Sequence, residues 1–268
     1  MKSFLSRLVP AVAAALALAL SSCIIAVVDP SAPGGMPGWG EFRQVVPFER
    51  GGTIMLENAR GDIEIFGWER NEVEIVARRE GRAPKPGFYW YGQYRAYELA
   101  PRVTVDVQDK TLKIRTQEDA DGESGVSCLI NVPLSVNIDS LRSGAGTVLL
   151  SGMYGRASVD AGKGDVQVEN FSGSLDIALK KGNASAELLD LRKGDVVRIA
   201  VAEGDITVFL ETGVSARIEA SASQQVNSEF DLGPKTPAAS VTGQIKDGLA
   251  AIVLTASQGG IELKRIKD

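Results

Sequence analysis

Apolar residues alternate with polar or small ones along most of the chain. Val166 and Val168, then Leu175, Ile177 and Leu179, then Val197, Ile199 and Val201, then Ile206 and Val208 all follow this rule. A period of two predicts strands with one buried face. Helical spacing is never sustained over the roughly 10 residues a helix needs, and Gly interrupts too often for one.

The alternation also restarts. Segments opening at Gly146, Gly164, Gly182 and Gly204 are spaced about 18, 18 and 22 residues apart and usually begin Gly-Asp or Gly-Asn, a spacing in the range of repeat architectures. Each unit predicts two short strands that cannot bury an apolar face alone. Stacked at the interstrand distance of about 4.8 Å, successive units line their apolar residues into one core. The expected fold is therefore all-β: a single-domain β-solenoid of stacked coils with atypical capping ends. Ala184-Ser185-Ala186 and the longer third unit predict local thinning or a bulge.

Upstream, Ile54 and Leu56, Ile63 and Ile65, and Val73 and Ile75 continue the pattern, and Gly61-Asp62 opens a strand as Gly164-Asp165 and Gly204-Asp205 do. Val103–Val107 and Thr111–Thr116, joined by Gln108-Asp109-Lys110, predict a hairpin or successive strands. Downstream, Val226–Leu232 reads as a last core strand, and Ala250–Leu254 with Ile261 and Leu263 as the strands that close the chain.

Several stretches resemble a bacterial family of β-strand-repeat domains known as "putative adhesins", a domain of unknown function. They are GDIEIFGWERNEVEI from Gly61, Val132-Pro133 leading to Val136 and Ile138, the Gly-Asp repeats, and Gly260-Ile261-Glu262-Leu263. The likeness covers about 45–266. It implies a β-repeat body with a surface for protein or glycan contact, and assigns no activity.

The N-terminus carries an address. Lys2 and Arg7 precede the apolar run Leu8–Leu20, the plan of a secretory signal. Leu20-Ser21-Ser22-Cys23 resembles a bacterial lipobox, which implies cleavage after Ser22 and a lipid on Cys23. The expected division is a signal peptide at 1–22, a lipidated Cys and Pro/Gly-rich tether at 23–44, and the repeat body at 45–268 with an insertion at 81–101. An uncleaved membrane helix is the alternative, because Ile24–Val28 prolongs the apolar run. Acyl chains in place of that helix anchor a protein stably when there is more than one. In a Gram-negative envelope, Ile24 after the Cys implies outer-membrane sorting, so the expected location is the cell envelope, lipid-anchored. The tether, DPSAPGGMPGWG from Asp29, has the composition of a flexible spacer.

The insertion gathers Phe88, Tyr89, Trp90, Tyr91, Tyr94 and Tyr97, with Arg82, Lys85 and Arg95 nearby. Such aromatics either contact a protein or glycan or fold back over an early coil to cover an open sheet edge.

Chemistry is constrained mainly by what is missing. With no His and a net charge of −5, the chain cannot assemble a Ser-His-Asp, Cys-His or His-containing zinc site. It shows no basic stretch suited to nucleic acid. Cys128, in an apolar run, reads as a buried thiol and not a nucleophile. Asp62, Asp165, Asp195 and Asp205 each follow a Gly and would form a row, serving turns or a cation; Glu118–Ser124 reads as a solvated loop.

No cofactor, metal or catalytic residue is expected. The functional expectation is a non-enzymatic envelope lipoprotein that is held to the membrane through its lipid and binds an envelope protein or glycan. An envelope scaffold or signalling accessory protein, and a carbohydrate-active β-helix enzyme using paired carboxylates, are the alternatives.

Overall fold

The computed structural model describes residues 41–80, 101–117, 124–232 and 238–266. Among these residues the chain is all-β, with no helix.

Two parallel ladders carry the fold. One runs, in spatial order, through β6 (Thr111–Gln117), β2 (Thr53–Arg60), β8 (Asn137–Ala145), β10 (Tyr154–Lys163), the second half of β11 (Val166–Lys181), β13 (Val196–Glu203), β17 (Ala250–Gln258) and β15 (Ala216–Ser228). The other runs through β7 (Gly125–Pro133), β3 (Ile63–Trp68), β9 (Val148–Ser151), the first half of β11, β12 (Ala184–Leu188), β14 (Ile206–Leu210), β18 (Ile261–Arg265) and the end of β15. The chain passes from one ladder to the other at each level.

The sequence repeat is the register of these ladders. Val148 pairs with Val166, Val166 with Ala184, and Ala184 with Ile206. Inward residues therefore stack like on like. In the first ladder Ile54, Ile138, Ala157, Leu175, Val197, Ile252 and Ile218 are successive partners, and in the second Ile65, Leu150, Val168, Ala186, Val208 and Leu263. All of them are buried, and each large one contributes about 1.5–3 kcal/mol on leaving water.

Ala184 and Ala186 sit in unbroken register with Ile206 and Val208, so the β12–β14 pairing carries no bulge. The irregularity falls on the other side of β12, between Val168 and Phe171. The four extra residues of the 22-residue unit lie in the link after β12, which leaves the strands aligned.

The corner before the second ladder explains the repeated Gly. Gly61, Gly146, Gly164, Gly182 and Gly204 all have positive φ. At Gly182, φ is 135°, and a Cβ there would lie 2.0 Å from the carbonyl oxygen of Gly164 one level below. Only Gly satisfies both the angle and the approach.

Chain order and spatial order part company at both ends. Level β2/β3 lies inside β6/β7, and β17/β18 is threaded between β13/β14 and β15. The C-terminal strands therefore occupy an interior level, contrary to their reading as the closing ones. The region read as a last strand from Val226 is the tail of β15, which begins at Ala216. Antiparallel strands finish the stack: β16 (Ala238–Ile245) on β15; β4 (Glu72–Glu80) on β7, with β1 (Glu41–Pro47) beyond it; and β5 (Arg102–Gln108) on β6. β5 and β6 form a hairpin, one of the two arrangements the sequence left open. β1 begins at Glu41, inside the span read as tether. Asn58, buried between levels, donates to the carbonyls of Gly61 (3.1 Å) and Val126 (2.9 Å) and accepts from Thr116 Oγ1 (2.6 Å).

Gly182→Ala is expected to cost about 2 kcal/mol or more, from positive-φ strain and backbone overlap. Gly213→Ala, whose Cβ would meet nothing within 4 Å, serves as the neutral control. Denaturant midpoints read both; equal midpoints for the two variants would contradict the corner assignment.

Candidate functional site

The residues singled out for contact, Phe88, Tyr89, Trp90, Tyr91, Tyr94 and Tyr97, and the lipidation candidate Cys23 lie outside the described residues, as do Arg82, Lys85, Arg95 and Glu118 to Glu123 apart from Ser124. The segment that holds the aromatics lies in sequence between β4, which ends at Glu80, and β5, which begins at Arg102. The outer face of β4 and β7 sets apolar residues among charged ones.

That face is built by parity. In β4 the residues Val73, Ile75 and Ala77 point into the core, and in β7 Cys128 and Ile130 do the same. Val76 and Leu129, which are of opposite parity, point outward and are cross-strand partners. Arg43 of β1 pairs with Val76 in register, and Glu64 of β3 pairs with Leu129, so an apolar centre lies between opposite charges in a shallow groove. Leu129 is 37% exposed, and Val45 nearby 48%.

Charged groups fix the rim. The Arg78 guanidinium holds Glu41 at 2.7 Å. Arg43 pairs with Glu74, which also accepts from Asn131 Nδ2 at 3.0 Å. Glu74 is more enclosed than its partner, with side-chain exposure of 13% against 63%. Desolvation pushes the Glu74 carboxyl up, but the hydrogen bonds from Asn131 and Arg43, with the charges of Arg43 and Arg70, outweigh it and hold the group below its ordinary value. The pairs at this rim are largely solvated on the Arg side, so they orient the surface more than they stabilise the fold.

At the end of β4, partial burial raises the Glu80 carboxyl, and the Asp62 charge adds to it against a backbone hydrogen bond from Asp62. Burial, with a smaller push from Glu80, lifts the Cys128 thiol to about 12. Cys128 is 2% exposed and stays protonated at neutral pH, as its apolar surroundings in the sequence imply.

The Gly-Asp carboxylates have a structural occupation. Asp62 Oδ1 accepts the N–H of Thr147 (2.7 Å), Asp165 Oδ1 that of Asn183 (2.8 Å), Asn183 Oδ1 that of Asp205 (3.0 Å) and Asp205 Oδ1 that of Gly260 (2.7 Å). Each side chain thus caps the corner of the next level, where the sequence suggested a bond within its own turn. Asp195 does not belong to this row. It sits at the opposite corner, accepting from the Arg192 N–H (2.7 Å) and from Ser174 Oγ (3.3 Å). Among the described residues no three or more Asp, Glu, Cys or His side chains converge as a metal site.

Sequence reasoning passed over Val76, Leu129 and Glu74. For Val76 and Leu129 a signal was available: an apolar residue in the outward phase of two neighbouring strands at once.

No family model matches the chain, and no curated protein matches it. Similar solved structures include a "putative cell adhesion protein" from Clostridium sporogenes, at 14% identity and TM-score 0.49, over 85% of this chain and 100% of that one. Others are a "putative adhesin" from Bacteroides fragilis (10% identity, TM-score 0.28, 87% and 100% covered) and one from Parabacteroides merdae (11%, 0.22, 85% and 96%). Likenesses of this size assign no function. The rim charges of the groove are open to direct titration. A carboxyl held low in the fold contributes stability above its unfolded value near 4.5 and loses it as pH falls through the folded value. Glu74→Gln should therefore lower the melting temperature at pH 7, and the gap to the parent should narrow as the pH falls below 4.5. A gap independent of pH would mean the carboxylate charge plays no part.

Proposed function

We propose that the chain is a non-enzymatic cell-envelope lipoprotein whose β-solenoid body presents a surface for binding a protein or glycan. The observation that carries this reading is the outward pair Val76 and Leu129, set between the ion pairs of Arg43 and Arg78 on the face that leads to Glu80. Apolar contact area bordered by complementary charges is the composition of a recognition surface. The aromatic stretch 88–97 follows β4 in sequence and supplies residue types that stack on sugar rings or anchor an interface.

The solenoid reading is supported by ladders whose register repeats at the spacing of the Gly-Asp units. The non-enzymatic reading draws on the lack of His and on a thiol held protonated by burial. A lipid on Cys23 would place the body at the membrane surface, with 24–40 as spacer, and Ile24 favours the outer membrane in a Gram-negative envelope.

Two experiments test the proposal. Cys23→Ala is expected to abolish incorporation of labelled fatty acid and to release the protein from the membrane fraction; continued attachment would point to a spanning helix. In pull-downs from solubilised envelope, the full chain is compared with Leu129→Lys and with a deletion of 87–97, each verified as folded. Capture lost in either variant supports this surface. Equal capture by all three would move recognition elsewhere on the body.

A further inference from the structure

Interior strands of this protein are charged or uncharged, but its edge strands differ from one another. β7, β9, β14 and β17 contain no Asp, Glu, Lys or Arg, and each has hydrogen-bonded partners on both sides. The edge strands at the other end are charged: β1 carries Glu41, Arg43 and a terminal Pro47, and β5 carries Arg102 and Asp106. Charges and proline on an edge are how sheets avoid pairing with further strands.

β16 breaks the pattern. Its residues, AASVTGQI over Ala238–Ile245, include no charge and no proline, yet among the described residues it pairs with β15 alone. It is an edge strand with neither of the residue types that blunt the other edges. Val241 and Ile245 lean on the core, while Ser240, Thr242 and Gln244 are exposed in alternation.

We propose that the free edge of β16 pairs antiparallel with β16 of a second copy, joining two molecules end to end about a two-fold axis. The occupant follows from self-complementarity. A two-fold antiparallel pair sets the strand against itself, which repels wherever a strand carries a central charge. In β16 no register confronts like charges. Centred on Thr242, the pair sets Ser240 against Gln244, two groups able to hydrogen-bond, and Val241 against Gly243, where the missing side chain makes room. Antiparallel addition also continues the direction in which the stack already ends, since β16 runs antiparallel to β15.

The test uses the full chain in detergent, with protein mass measured by light scattering across about 5–200 µM, the range expected of a small edge-to-edge contact. The parent is expected to shift to twice the monomer mass. Ser240→Lys/Thr242→Lys and Ser240→Glu/Thr242→Glu should each weaken the dimer at least about tenfold, as like charges meet across the pair. Mixing the two variants should restore it. Circular dichroism and melting temperature establish that both variants keep the fold. A parent that remains monomeric over the whole range overturns the proposal, and so does a dimer that both charge variants leave intact. A dimer lost in both variants but not regained on mixing also overturns it, because antiparallel self-pairing requires the rescue.

Discussion

Everything in this protein depends on holding one level over the next at hydrogen-bonding distance through a corner that has no room for a side chain. At Gly61, Gly146, Gly164, Gly182 and Gly204 a positive-φ Gly sits over a carbonyl of the level below, and at all of these but Gly146 the following Asp or Asn accepts an N–H from the level above. The two halves of the contact do different work. The Gly lets the backbones approach, and the acceptor satisfies an amide that the sharp turn would otherwise leave unpaired. With the corner fixed, strand register is fixed, and the inward columns of Val, Ile and Leu follow.

The ends need a different solution, because a stack of identical levels leaves its last level with an open edge and an exposed core. The protein reverses strand direction at both ends and adds antiparallel strands: β16 at one, β4 with β1 and also β5 at the other. The groove bearing Val76 and Leu129 is a by-product of that capping, since it lies where parallel levels meet antiparallel ones. There the outward positions are no longer constrained to repeat from level to level and are free to be used for something else.

Much of the architecture was legible in the sequence. Period-two alternation named the strands of the middle levels, and the 18, 18 and 22 spacing named their pairing, because register and repeat are one quantity in a stack. The β5–β6 hairpin was legible from its turn. What escaped was long-range order. Nothing in Ile261 or Leu263 distinguishes an interior level from a terminal one, since the alternation is the same in both, and the threading of β17/β18 beneath β15 is decided by which edges fit. Asp195 was misplaced for a related reason: Gly-Asp marks a corner but not which of the two corners. The long β11 and β15 were each read as separate strands because a bend at positive-φ Asn170 or a register shift resembles a break in the pattern. Of the candidate site, only the aromatic stretch was conspicuous. Val76 and Leu129 register as unusual only when compared across neighbouring strands.

The threading of β17/β18 also bears on how the chain reaches its fold. β15 is synthesised before the strands that must lie beneath it, so the stack cannot grow one level at a time in the order the ribosome delivers it. After β14 is in place, β15 has no correct surface to join until β17 and β18 are available. Its nearest surface, the exposed edge of β13 and β14, is one that it must leave vacant. β17 and β18 therefore act as a keystone: they arrive after β15 and are wedged between two pieces already made. Loss of β17 and β18 would remove material from the middle of the stack and leave β15 and β16 with no level to rest on.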